Sequence, residues 1–208
     1  MRSIHIVTDS GACFGNPRLL QQYPYTVIPY TIEIGGVRYQ EGRDLSTEDA
    51  MSMIRQQKRP ITVTAPSAAQ FAALYSRLSH HYEAIVSIHS SRELTDSWAN
   101  GRQAALQVRE SIAVAVVDSQ SICGGQGMLV RVAGEAIARG LSFDDVVQKV
   151  RGAVERIYAM YSVDSLEALR QNDIMSPSRS ILGAYLGIRA LLSIEEGRVS
   201  VTEKVRSR

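Results

Sequence analysis

Short apolar runs rich in β-branched residues recur along this chain, each closed by a polar turn and followed by a stretch of helical length. The clearest are Ser3–Thr8 (SIHIVT), Ala84–His89 (AIVSIH) and Ile112–Val117 (IAVAVV). Runs with apolar side chains at consecutive positions suit strands buried on both faces. Between and after them lie segments that read as helices: Ala68–Leu78, the stretch through Ala104 and Ala105, Met128–Arg139, and one from the Ser142 cap to about Arg156. Strands alternating with helices imply right-handed crossovers and a mostly parallel sheet. The fold class is α/β, a mostly parallel sheet with flanking helices.

Local signals refine this pattern. Tyr25–Ile34 reads as a strand, and Pro29 within it points to an edge or a bulge, since proline cannot donate to a ladder. Gly35–Gly36 turns that strand into Val37–Tyr39, a hairpin. Ser46 or Thr47 opens a helix whose first turn carries Glu48 and Asp49, matched to its positive end, and which stops before Pro60. Pro60–Ser67 and Ser90–Asp96 read as loops, and Gly124, Gly125 and Gly127 as a turn after the third strand. Gly140 is a helix terminator. After Arg156 come a strand over Ile157–Val163, a short helix over Asp164–Arg170, a polar loop over Gln171–Ser178 and an apolar run over Ile181–Leu186. Leu191–Ile194 and Val199–Val201 then form a hairpin about Glu195–Arg198. The chain therefore divides into an α/β unit over 1–156 and a second, smaller, partial α/β unit over 157–208.

Composition narrows the function. A formal net charge of +2 over 208 residues gives no basic surface for nucleic acid. No apolar run is long enough to cross a bilayer, and the first residues lack the basic start and apolar stretch of an export signal. A cytoplasmic protein without stable membrane insertion is expected. Cys13 and Cys123 are far apart in sequence and fit no metal spacing; they could pair, but reduced thiols suit that compartment. No metal or cofactor is expected.

In open parallel sheets, ligands bind beyond the carboxyl ends of the strands. The turns there are rich in hydroxyls: Asp9–Gly11, Thr62–Ser67, Ser90–Thr95 and Asp118–Ser119. Hydroxyls converging beside helix N-termini can hold a carboxylate or phosphate without a counter-charge. Each could equally cap the helix that follows it. His89 beside Ser90 and Ser91 raises a nucleophile with its base, but no Gly-x-Ser-x-Gly elbow is present. A histidine at a strand end is ordinarily packed and hydrogen-bonded. His80–His81 reads as solvated. The glycines after the third strand match neither the dinucleotide fingerprint nor the lysine-containing phosphate loop.

Seven segments in order resemble the DegV family of bacterial fatty-acid-binding proteins. They are VTDS (Val7–Ser10), VIPYTIEIGGVRYQEGRDLSTED (Val27–Asp49), APSAAQF (Ala65–Phe71), SIHSSRELTDSW (Ser87–Trp98), VVDSQSICGGQG (Val116–Gly127), YSVDSLEALR (Tyr161–Arg170) and VTEKVRSR (Val201–Arg208). The resemblance implies a long-chain, palmitate-like fatty acid between two domains, its carboxylate held by hydroxyls, and a role presenting the acyl chain to a fatty acid kinase. Carried over by position, the ligand-binding residues are Thr95 and Ser97 in Leu94–Ser97, with Ser91 beside them. The family's threonine ahead of its Gln-Pro-Ser falls on Val63, leaving Thr62 or Thr64 to replace it. Asp96 stands at a family glycine, and a family arginine is absent from Asn172–Met175. Family members continue past Glu203–Arg206, which implies a short or C-terminally truncated member. The expected function is a lipid carrier without catalysis. Its rivals are a hydrolase or phosphoryl-transfer enzyme based on His89, and a scaffold that contacts partners through an open apolar groove.

Overall fold

The computed structural model describes residues 4–15, 23–57, 61–163 and 188–206. The three consecutive-apolar runs become the strands β1 (Ile4–Asp9), β6 (Ala84–His89) and β7 (Ala113–Asp118). The first half of Tyr25–Ile34 becomes β2 (Tyr25–Ile28). Together they form a four-stranded sheet in the order β2-β1-β6-β7, every pairing parallel. All side chains of β1 and β6 are buried, which is why these strands carry no polar alternation. Ile4, Ile6, Val86 and Ile88 face the helices α4 (Cys123–Ala138) and α5 (Phe143–Val154) through Leu129, Val130, Val146 and Val150. Val7 and Ile85 face the other way, toward α2 (Ala68–Leu78) and α3 (Ser97–Gln107), through Phe71, Leu74, Tyr75 and Ala104. The sheet is thus the middle of three layers, as the alternating pattern implies.

Pro29 does more than mark an edge. The run from Tyr25 to Ile34 is two strands in two sheets: β2 ends at Ile28 on the edge of the parallel sheet, and β3 (Thr31–Ile34) starts another. β3 turns at Gly35–Gly36, both at positive φ, into β4 (Val37–Gln40), so the expected hairpin forms. On its other side β3 pairs antiparallel with β5 (Ile61–Thr64), a segment expected to be loop. The strand is short, and Thr62, Val63 and Thr64 are all exposed, so no inward apolar side chains betray it. Its backbone is nevertheless held by the ladder to β3, and Ile61 joins Ile32, Ile34, Leu45 and Ala50 in a small core beneath α1 (Thr47–Gln57). Ser46 accepts the Asp49 N–H at 3.1 Å and is the cap of α1.

The glycines after β7 also correct the reading. Gly124, Gly125 and Gly127 lie inside α4, which begins at Cys123. A side chain at Gly127 would collide with the Cys13 carbonyl, and one at Gly125 with the Ser121 side chain. Gly125 and Gly127 bring the helix against its neighbours, and Gly124 faces open space; none of the three forms a turn. Gly140, at φ +74°, follows α4, and Ser142 caps α5 by accepting the Asp145 N–H at 3.2 Å. Beyond α5 the expected strand over Ile157–Val163 is confined to β8 (Met160–Val163). The hairpin about Glu196–Gly197 is longer than expected, β9 (Ile188–Glu195) and β10 (Arg198–Arg206), and forms a three-stranded antiparallel sheet β10-β9-β8. The short helix over 164–170, the loop over 171–178, the apolar run over 181–186 and Asn172–Met175 lie outside the described residues.

Candidate ligand-binding site

The carboxyl ends of β1 and β6 bring Asp9, His89, Ser90 and Ser91 together, and α4 adds Gln126. Asp9 is the hub. Its Oδ1 accepts from the Gly11 N–H and Gln126 Nε2, both at 3.0 Å. Its Oδ2 lies 3.0 Å from His89 Nδ1 and accepts the Ser90 N–H at 3.1 Å. The Ser90 hydroxyl sits 3.0 Å from Asp9 Oδ1 and 2.8 Å from Gln126 Oε1, with one proton to share between them. Burial pushes the Asp9 carboxyl up, but hydrogen bonding and charge from His89, with the Gln126 and Ser90 bonds, outweigh it and leave it below the ordinary carboxylate value. A fully buried carboxylate survives because its acceptor sites are filled.

His89 is packed, as a strand-end histidine should be. Its ring meets Phe71 edge-on at 4.8 Å, and its Nε2 lies 2.7 Å from Ser87 Oγ, which in turn lies 2.7 Å from the Tyr75 hydroxyl. Ser87, His89 and Asp9 are in the order of a nucleophile, base and acid. All three have 0% exposure, so no substrate reaches Ser87 in this arrangement. His80 and His81 are exposed.

Tyr30, in the two-residue step between β2 and β3, links this hub to the β6–α3 loop. Its N–H donates to Ser10 Oγ at 2.8 Å, and its hydroxyl donates toward Ser90 Oγ at 3.0 Å and Thr95 Oγ1 at 3.4 Å. The same hydroxyl accepts from Ser97 Oγ at 3.2 Å. Burial, with the Asp9 charge behind it, pushes the phenol up to about 12, so it stays a neutral donor.

The structure separates the sequence-predicted site residues by what their protons do. Thr95 is partly exposed; its Oγ1 accepts from Tyr30 and, at 3.3 Å, from the Ser97 N–H. Its own proton has no acceptor among the described residues. Ser97 gives its proton to Tyr30, and Ser91 gives its own to the Gly197 carbonyl at 2.8 Å, fastening the β9–β10 turn. Thr62 and Thr64 stand exposed on β5. Thr64 pairs with Thr31, the residue after Tyr30, and the Pro66 carbonyl accepts from Asn100 of α3 at 2.9 Å. The end of β5 is therefore tied to the start of β3 and to α3. Asp96 precedes α3, exposed, and its side chain makes no cap bond. Tyr30 and Gln126 escape a reading built on the hydroxyls of serine and threonine. A polar side chain between two glycines at a helix start, and an aromatic directly after a proline, are the signals that mark them. No group of three His, Cys, Asp or Glu side chains suited to a metal occurs among the described residues.

A parallel α/β sheet with a hydroxyl-lined carboxyl edge and two small antiparallel sheets beside it is a recognisable class, and comparison places the chain within it. The description of the DegV family, uncharacterised proteins, matches residues 3–208, and the chain belongs to that family. A DegV domain-containing protein of Caldanaerobacter subterraneus is 31% identical over 209 residues, covering 99% of this chain and 72% of the relative. Among solved structures, a DegV family protein from Thermus thermophilus described by its fatty acid binding superposes with a TM-score of 0.87 at 26% identity. It is covered over 100% of this chain and 72% of its own. DegV of Bacillus subtilis, described as a fatty acid binding protein, gives 0.88 at 25% identity, covering 100% and 73%.

Proposed function

We propose that this protein binds a long-chain fatty acid and carries it without chemical turnover. The observation that bears most weight is the Thr95 hydroxyl: bonded as an acceptor by Tyr30 and Ser97, it keeps a proton for an incoming carboxylate. Thr64, with Thr62, supplies a further hydroxyl from β5. Ser97 and Ser91 line the same edge, Ser97 by holding Tyr30 and Ser91 by holding the hairpin turn. The fatty acid binding described for the Thermus and Bacillus proteins supports this reading, and the β9–β10 turn, fastened to Ser91 through Gly197, lies beside the same edge. Burying about 14 methylenes at ~0.8 kcal/mol each gives roughly 11 kcal/mol before association costs. Hydrogen bonds to the charged head add about 1.5 to 3 kcal/mol each and fix its direction.

No helix among the described residues is long and apolar enough to cross a membrane, which fits a carrier working in the cytoplasm. The family resemblance extends the role to presenting the acyl chain to a fatty acid kinase. The test is native mass spectrometry of freshly expressed protein, then of stripped protein with added palmitate. A mass increment of one long-chain fatty acid is expected. A protein that arrives empty and ignores palmitate overturns the proposal.

A further inference from the structure

We infer that Cys13 and Cys123 form a redox-modification site, a dithiol that a hydroperoxide converts into an intramolecular disulfide joining the β1 loop to the start of α4. The backbone already joins the two segments. Ala12 and Cys123 form a parallel bridge; the Cys13 N–H donates to the Cys123 carbonyl at 3.0 Å, and the Cys123 N–H to the Gly11 carbonyl at 2.9 Å. Chains bridged in this way run about 4.8 Å apart. One residue out of direct register still leaves the two Cα atoms inside the ~4.4–6.8 Å that a disulfide spans. Cys123 holds φ +49°, a region that non-glycine residues rarely adopt, and this turns both its N–H and its carbonyl toward the loop. Gly127, one helical turn on, lacks the side chain that would push the Cys13 carbonyl away.

The two thiols are free and differ in access. Cys13 is exposed and Cys123 only partly so. Burial, with Cys13 as its neighbour, pushes the Cys123 thiol up to about 12. Cys13, the thiol that solvent reaches, is therefore the attacking sulfur, as its thiolate. Its thiolate attacks a peroxide oxygen; the O–O bond breaks, and the departing oxide takes a proton to leave as water or an alcohol. Cys13 is then a sulfenic acid. The Cys123 sulfur attacks the Cys13 sulfur, the S–O bond breaks, and the departing hydroxide takes the Cys123 proton as water. The two thiols lose two electrons and the peroxide gains them. The new bond ties the β1 loop, which carries Gly11, to the helix that carries Gln126, and both of these donate to Asp9.

The experiment needs no lipid, so its result is independent of the carrier reading. The full reduced chain is treated with hydrogen peroxide, alkylated with a maleimide, and read by intact mass and peptide mapping. The expected product is a monomer lighter by two hydrogens, with both thiols lost together, a cross-linked Cys13–Cys123 peptide, and full reversal by dithiothreitol. Oxygen atoms gained without a cross-link, or disulfide-linked dimers alone, overturn the inference. Cys123→Ser is expected to trap Cys13 as sulfenic and higher acids, and Cys13→Ser to leave Cys123 open to alkylation. The peptide map of the parent chain decides the matter if either variant folds poorly.

Discussion

The parallel sheet and the small β4-β3-β5 sheet meet across two residues, yet they are built on opposite terms. Along β1 and β6 every side chain is buried. Along β5 only Ile61 turns inward. The first sheet is stabilised by side-chain burial on both faces, and the second by its backbone ladder and one small core. The difference teaches where each can tolerate change. A polar group inside the parallel sheet must be fully partnered, as Asp9 is, whereas hydroxyls on β5 stand in solvent at little cost.

That contrast can be broken most sharply at Asp9. Asp9→Ala strands the Gly11, His89, Ser90 and Gln126 donors and is expected to cost about 3 to 5 kcal/mol in urea denaturation. A variant as stable as the parent would mean the carboxyl edge is not held as described. Next, Ile85→Ala, wholly buried between two layers, should cost roughly 2 to 5 kcal/mol by the same measurement.

Third is acid stability. Burial lowers His5 from 6.5 to about 4, and its Nδ1 has no partner among the described residues. The unfolded chain takes up a proton below 6.5 that the fold refuses, so stability is full above that value and falls as pH drops toward about 4. The loss is up to about 3 kcal/mol. Asp9, held below its ordinary 3.8, adds a further loss only at still lower pH. Thermal scans from pH 7 to 4 should show the first loss, and His5→Phe should flatten it.

Fourth, Thr95→Val is expected to weaken palmitate binding by about ten- to a hundredfold, with a stability loss of about 1 kcal/mol from the Ser97 N–H left without its acceptor. Titration calorimetry beside a thermal scan separates the two effects. Smallest of all, Val63→Ala on exposed β5 should change stability by no more than about 0.5 kcal/mol. A large loss there would dissolve the distinction between the sheets.

How much was legible in the sequence follows the same division. The strand Ala84–His89 and the helix over about Ala68–Leu78 match β6 and α2, because burial writes itself as apolar runs and as helical spacing. Strand β5 was not, since exposed Thr62 and Thr64 say nothing about a ladder formed with a partner in another segment. The hydroxyl-rich edge could be named from its turns. Which hydroxyls keep a free proton could not, because that depends on Tyr30 and Gly197, which only folding brings to Thr95, Ser97 and Ser91. Gly127 reads as part of a turn for a related reason: its close approach to Cys13 leaves no mark in the local sequence.

The step through Pro29 and Tyr30 has one more consequence. It works like the spine of a book whose covers are the two sheets, stiffened by a proline with fixed φ and pinned where Tyr30 bonds Ser10 and, through its carbonyl, the Glu41 N–H. The phenol rides on that spine and also touches Thr95. Parting the covers would drag the ring from the Thr95 hydroxyl, so the angle between the sheets and the hold of Tyr30 on the β6–α3 loop are a single variable in this fold.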